Sequence, residues 1–212
     1  LVENALRSAD YLARRDARMA DLENVLGGAV GDRACVTLEV GCGHGHFLTA
    51  YAAAHPETFC IGIDLLNDRI LRAGRKRDRA KLTNLIFLQA EAGEFLRVLP
   101  PAIRFADIFI LFPDPWPKRR HHKNRILQST FLTDLAARAG ESTRLCFRTD
   151  YEPYFKNAAA IVSTHDSWEF APPESWPFER ETVFQSRAPE FYSWVARART
   201  APVLPLPSLT RA

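Results

Sequence analysis

The sequence predicts an α/β domain of three layers, a mostly parallel seven-stranded sheet with helices on both faces. Three observations carry this. Short apolar runs alternate with longer amphipathic or charged segments from about residue 35 to 165. The apolar runs are continuous, as in strands covered on both faces. After residue 166 the pattern changes, and two further strand-like runs flank a proline-rich stretch. With 212 residues, 47% of them hydrophobic, the chain can bury the core that such a sheet needs.

The elements follow in order. Residues 3–26 carry Leu6, Leu12, Met19, Leu22 and Leu26 on a broken apolar stripe, the mark of a helix that Gly27-Gly28 is expected to end. CVTLEV (35–40), TFCIGI (58–63), NLIFLQ (84–89), FADIFILF (105–112) and TRLCFRT (143–149) read as strands. Helices are expected over 46–55, 66–81, 92–99, 123–139 and 151–165. WEFA (168–171) and FYSWVARA (191–198) read as two closing strands around a Pro-rich loop, 172–190. The expected organisation is an N-terminal helix and linker (1–34), one domain (35–200) and a Pro-rich, mobile tail (201–212).

Composition narrows the function. Net charge is only +3, but its distribution is uneven. After Asp114 the next acid is Asp134, and between them stand Lys118, Arg119, Arg120, Lys123, Arg125, His121 and His122. Clustered cations without interleaved acids are the footprint of a phosphate backbone. A second basic stretch, 72–81, reads equally as a solvated helix face. Cysteines 35, 42, 60 and 146 show no metal spacing, and Cys35, Cys60 and Cys146 lie in apolar runs, which fits a reducing, cytoplasmic setting. No signal peptide and no apolar run of the ~18–20 residues of a membrane helix is seen. His121 and His122 lack a second His/Cys cluster, so no metal is expected.

The turn LEVGCGHGHFL places Gly41, Gly43 and Gly45 directly after the first strand, where ligands sit in open parallel sheets. A dinucleotide fingerprint would need a glycine at 46, where His46 stands, and there is no phosphate loop of the GxxxxGK[ST] type. Acids recur along the same rim: Glu39, Asp64, Glu91 and Asp114. Each alone reads as a cap or a solvated carboxylate. Together they suit a ligand with a ribose, an amine and a positive charge, and S-adenosylmethionine fits.

LEVGCGHGHF, LFPDPWPKRRHHKNR, FRTD and ETVFQSR together resemble the bacterial tRNA (guanine-N7-)-methyltransferases, over about residues 38–199. The resemblance implies a Rossmann-like methyltransferase fold and methyl transfer from S-adenosylmethionine to a guanine of the tRNA variable loop. It implies that Glu39, Asp64, Glu91 and Asp114 bind the donor, that Asp114 is also the catalytic acid, and that Lys118 and Asp150 contact substrate. Thr182, Val183, Phe184 and Gln185 match a T-x-F-E segment that also touches substrate. Gln185 departs from that pattern, since an amide offers one acceptor oxygen where a carboxylate offers two. Many members carry a basic segment before the first strand, whereas residues 1–34 are mixed in charge. Lys118, Arg119, Arg120, Lys123 and Arg125 are expected to hold tRNA phosphates, and Trp116 to stack on a base or seal the strand end. Two rivals remain: an amino-group methyltransferase, whose Asp/Asn-Pro-Pro-aromatic order differs from Asp-Pro-Trp-Pro, and a non-catalytic RNA-binding subunit. The state is monomer or homodimer.

Overall fold

The computed structural model describes residues 2–171, 176–180, 185 and 190–199, with side chains from residue 12 onward. Thr182, Val183 and Phe184 and the tail 201–212 lie outside the described residues. The elements are α1 (Val2–Val30), β1 (Cys35–Val40), α2 (His46–Ala54), β2 (Cys60–Asp64), α3 (Asn67–Arg79), β3 (Leu85–Gln89) and α4 (Ala92–Val98). Then follow β4 (Arg104–Leu111), a 3-10 helix (Arg119–Asn124), α5 (Ser129–Ala136), β5 (Ala139–Thr149), α6 (Glu152–Ser163), β6 (Trp168–Phe170) and β7 (Tyr192–Ala198).

The seven strands form one sheet in the order β3-β2-β1-β4-β5-β7-β6. Strands β1 to β5 are parallel, and β7 and β6 close the sheet in antiparallel pairs. Side chains alternate between two cores, as the pleat demands. Leu38, Val40, Ile108, Ile110 and Phe147 face the larger one, with α1, α4, α5 and α6. Phe109, Cys146, Cys60 and Phe87 face the smaller one, under α2 and α3. Parallel strands put their carboxyl ends on one rim, so the turns after β1, β2, β3, β4 and β5 meet there. Helix α2 is pinned to the sheet by a buried network. Tyr51 Oη donates to Asp107 Oδ2 at 2.8 Å, and Arg144 clasps Asp107 from β5 at 2.6 and 3.0 Å.

Four expectations are corrected. Helix α1 runs through Gly27-Gly28 to Val30 because Leu22, Leu26 and Val30 are buried in the larger core, and packing outweighs the glycines' weak propensity. It stops at Gly31, whose left-handed φ of 55° and the Arg33 guanidinium on the Ala29 and Val30 carbonyls serve the helix end. The helix expected at 123–139 is shorter: a 3-10 helix comes first, and α5 starts at Ser129. A run of cations suits the positive end of an α-helix poorly. Gln128 Nε2 instead donates to the carbonyls of His122 and Arg125, at 2.9 and 3.2 Å. Strand β5 begins four residues early, at Ala139, with an irregularity in its pairing to β4 and Thr143 Oγ1 donating to the Phe105 carbonyl at 2.5 Å. Cys35 is exposed at the start of β1, whereas Cys42, Cys60 and Cys146 are buried, and all four are free.

Candidate active site

The glycine-rich turn leaves β1 by bonding back to β2. The Gly41 and Cys42 amides donate to the Ile63 carbonyl at 2.8 and 2.9 Å. Asp64, buried at the end of β2, then ties the turn down. Its Oδ2 accepts from the Gly43 amide at 3.0 Å, its Oδ1 from Leu66 at 2.9 Å, and Arg69 stands 3.5 Å away. Gly41 and Gly43 have φ of 75° and 52°, and a Cβ on either would meet nothing within 4 Å. The space above this backbone is open, as close approach of a ligand requires. Gly45, with φ of 68°, differs in being closely packed. A Cβ there would lie 2.5 Å from Phe87 and 2.8 Å from Ala73, so this glycine lets α2 and α3 pack at the turn.

Glu39 lies inside β1, between Leu38 and Val40, and is almost fully buried. Burial pushes its carboxyl up to about 8, against the pull of a backbone hydrogen bond from Leu48 and helped by the charge of Asp64. Its Oε2 is buried without a hydrogen-bond partner, a polar atom that a ligand can satisfy. Glu91 is exposed and caps α4, its Oε2 accepting from the Glu94 amide at 2.9 Å. The open backbone at Gly41 and Gly43, the orphaned Glu39 oxygen and the Asp64 carboxylate thus suit a small ligand rich in hydrogen-bond donors.

The acid of PDPWP stands one strand away, since β4 pairs with β1 through Ile110 and Val40. Asp114 is exposed, and no described residue pairs with its carboxylate. Its loop is held in an unusual shape. Phe112 and Trp116 both adopt left-handed backbone, φ 49° and 42°, on either side of Pro113-Asp114-Pro115. For bulky residues such angles are strained and persist only where surroundings impose them. The Phe112 amide donates to the Arg148 carbonyl at 2.7 Å. Arg125, 3% exposed, donates through Nε to the Pro115 carbonyl at 2.9 Å and through Nη1 to Asn157 Oδ1 at 3.0 Å. Its guanidinium sits 4.7 Å from the centre of the Tyr154 ring. The expectation that Arg125 holds a phosphate is corrected: it is a buried strut from α6 to the loop. Lys118, Arg119, Arg120 and Lys123 are exposed, with Arg120 donating to His121 Nε2 at 3.1 Å. Trp116 is half-buried and packs edge-on to His121, so it neither seals the core nor stands free.

The fifth strand supplies the residue that sequence reasoning left unassigned. Arg148 of FRTD is 3% exposed. It holds Glu179 by two bonds of 3.1 and 2.7 Å and reaches Gln185 Oε1 at 3.3 Å. Its guanidinium lies between the rings of Trp176 and Phe191, at 4.1 and 4.6 Å. A charge inside an apolar strand was the available signal, because a buried cation needs partners. Asp150 is exposed beside it but does not cap α6. That place belongs to Tyr151, whose amide donates to Thr149 Oγ1 at 3.2 Å.

A family model described as a putative methyltransferase matches residues 33–196. The chain is 35% identical over 164 residues to the tRNA (guanine-N(7)-)-methyltransferase of Chromohalobacter salexigens, covering 74% of this chain and 67% of that one. It is 31% identical over 166 residues to the enzyme of the same name from Thermosynechococcus vestitus, with 74% and 77% covered. The fold superposes on the crystal structure of the aminoglycoside resistance methyltransferase NpmB1 with a TM-score of 0.57, at 18% identity over 84% of this chain and 93% of that one. The sheet with its antiparallel closing strands is thus a Rossmann-like methyltransferase fold, and the chain belongs to the family of the tRNA (guanine-N(7)-)-methyltransferases.

Proposed function

We propose that the protein methylates N7 of a guanine in tRNA, in the variable loop, with S-adenosylmethionine as donor. The observation that carries this reading is the placement of Asp114. It is an exposed carboxylate on a braced loop, one strand from the open glycine turn and followed directly by exposed cations. When bound, S-adenosylmethionine supplies a methyl group on a positively charged sulfur. Glu39 and Asp64 offer acceptors to its amine and hydroxyl groups, Gly41 and Gly43 let it approach the backbone, and Glu91 adds a carboxylate at the next strand end.

Guanine N7 carries a lone pair at neutral pH and needs no base. Alignment of the base with the methyl group supplies most of the rate. The methylated purine is positively charged, and Asp114 stabilises that charge or orients the base through its N–H groups. Lys118, Arg119 and Arg120 hold the RNA backbone, and Asp150 and Gln185 stand on the same rim, Gln185 with its oxygen turned to Arg148. The same reading places the enzyme in the cytoplasm. No helix among the described residues is long and apolar enough to cross a membrane.

The test is methyl transfer from labelled donor to unmodified bulk tRNA, followed by nucleoside analysis. 7-Methylguanosine is the expected product. A different methylated nucleoside would reassign the target, and no transfer without donor binding would leave an RNA-binding subunit.

Glu39 supplies a pH test of the donor site. Its folded value of about 8 lies above the ordinary 4.5, so folding takes up a proton between the two. Stability without ligand therefore falls as pH rises from about 4.5 to about 8. Glu39→Gln is expected to remove that slope, to be more stable than the parent at pH 8 by on the order of a few kcal/mol, and to bind donor more weakly there. Urea melts at pH 5 and pH 8 check the first part. An identical pH slope in both proteins would show that Glu39 is not held protonated.

A further inference from the structure

Helix α3 carries eight charged residues in the order Asp68, Arg69, Arg72, Arg75, Lys76, Arg77, Asp78 and, at its last position, Arg79. Its other cations have local tasks. Arg69 faces Asp64, Arg77 pairs with Asp78 at 2.7 Å, and Lys76 Nζ donates to the His44 carbonyl at 2.9 Å. No described carboxylate pairs with Arg72, Arg75 or Arg79, and all three are exposed. They stand at i, i+3 and i+7, on one helical face about 10 Å long, and with Asp78 they line a shallow depression. Like charges at this spacing cost an isolated helix a few tenths of a kcal/mol each. The helix dipole compensates for Arg79 in the last turn but not for Arg72 or Arg75. Only Ile70 and Ala73 of the helix are buried, so the arginine stems are not there to cover a core.

The positive surface continues. A groove between α2, α3 and the 176–180 segment is lined by His46, Thr49, Lys76, Phe178 and Arg180 among others. The field is strong enough to register on the group in the middle. Burial, then Arg79, lowers Lys76 to about 8, and burial, then Lys76, His44 and Arg180, lowers His46. Lys76, next to Arg75 in α3, lines this groove together with Glu179, which Arg148 holds.

We propose that the Arg72–Arg75–Arg79 face of α3 is a second contact for the tRNA sugar–phosphate backbone, apart from the 118–123 stretch and reached through the His46–Lys76–Arg180 groove. This rests on the tRNA reading above. An RNA strand is the occupant that fits: a row of exposed guanidinium groups, beside an Asp78 already paired with Arg77, meets phosphates at low desolvation cost and gains counterion release.

The experiment measures tRNA affinity as a function of salt for the parent, for Arg72→Gln/Arg75→Gln/Arg79→Gln and for Asp78→Asn. The triple variant is expected to flatten the slope of log Kd against log salt by about two, and to weaken binding about tenfold or more at 0.1 M salt. Its product at saturating tRNA stays 7-methylguanosine, formed at the parent rate. Asp78→Asn is expected to tighten binding about twofold, which misfolding cannot mimic. Parent-like slope and affinity in the triple variant, with the parent itself binding and methylating tRNA, overturns the α3 contact alone. A parent that neither binds nor methylates tRNA overturns the tRNA reading and this contact with it.

Discussion

Asp114→Ala is expected to lower the methylation rate at saturating donor and tRNA by about 10²–10³-fold, the usual loss of one preorganised charge at a reacting centre. The unfolding midpoint is expected to stay where it was. The carboxylate is exposed and has no partner among the described residues, so its removal breaks no contact there. The loop keeps its shape through Arg125 on the Pro115 carbonyl and through the Phe112 amide on Arg148. Asp114→Asn divides the role further: it keeps a hydrogen-bond acceptor for guanine but loses the charge. Activity in the Asn variant near that of the parent would assign Asp114 to orienting the base. Turnover near normal in the Ala variant would remove it from the reaction.

Arg148→Ala is expected to lose both stability and activity. The guanidinium fills the gap between Trp176 and Phe191 and holds Glu179. Its deletion leaves a cavity between two rings, worth about 2–4 kcal/mol. The Glu179 side chain, at 58% exposure, returns to water without a large penalty. The segment bearing Gln185 then loses its anchor on β5, and kcat/KM for tRNA is expected to fall by more than ~30-fold at temperatures where the protein is still folded. Arg148→Lys keeps the charge but not the two-pronged grip, and is expected to recover stability better than kcat/KM. Parallel recovery of both would reduce Arg148 to a packing residue.

The sheet was legible because its signal is long-range in sequence and repeated. Strand–helix alternation, continuous apolar strands and glycines after β1 each follow from backbone covering and close approach. The rim acids were legible as a group, but their individual tasks were not. Glu39 is buried, Asp64 is partly occupied by the Gly43 amide, Glu91 caps a helix and Asp114 stands free of described partners. Those differences arise from tertiary neighbours that spacing does not encode. The same limit explains Arg125. Nothing in KRRHHKNR marks the last arginine as the one that turns inward to Tyr154 and Asn157. It explains Gly45 too, where the glycine answers to Phe87, forty-two positions away in the chain. Arg148 was visible as a charge in a strand, yet its partners Trp176, Glu179 and Gln185 come from a stretch whose composition says only loop.

The two left-handed aromatic residues at 112 and 116 have a thermal consequence. A loop with such angles has no local preference for its own shape. Its order is borrowed, from β5 at one end and from α6 at the other. Whatever loosens those two elements reaches the carboxylate at once, while β1 and β2 remain paired. Heat or mild denaturant is therefore felt first as lost alignment and only later as lost fold, and the enzyme's working range is set by how firmly α6 and β5 are held rather than by the pairing of β1 with β2.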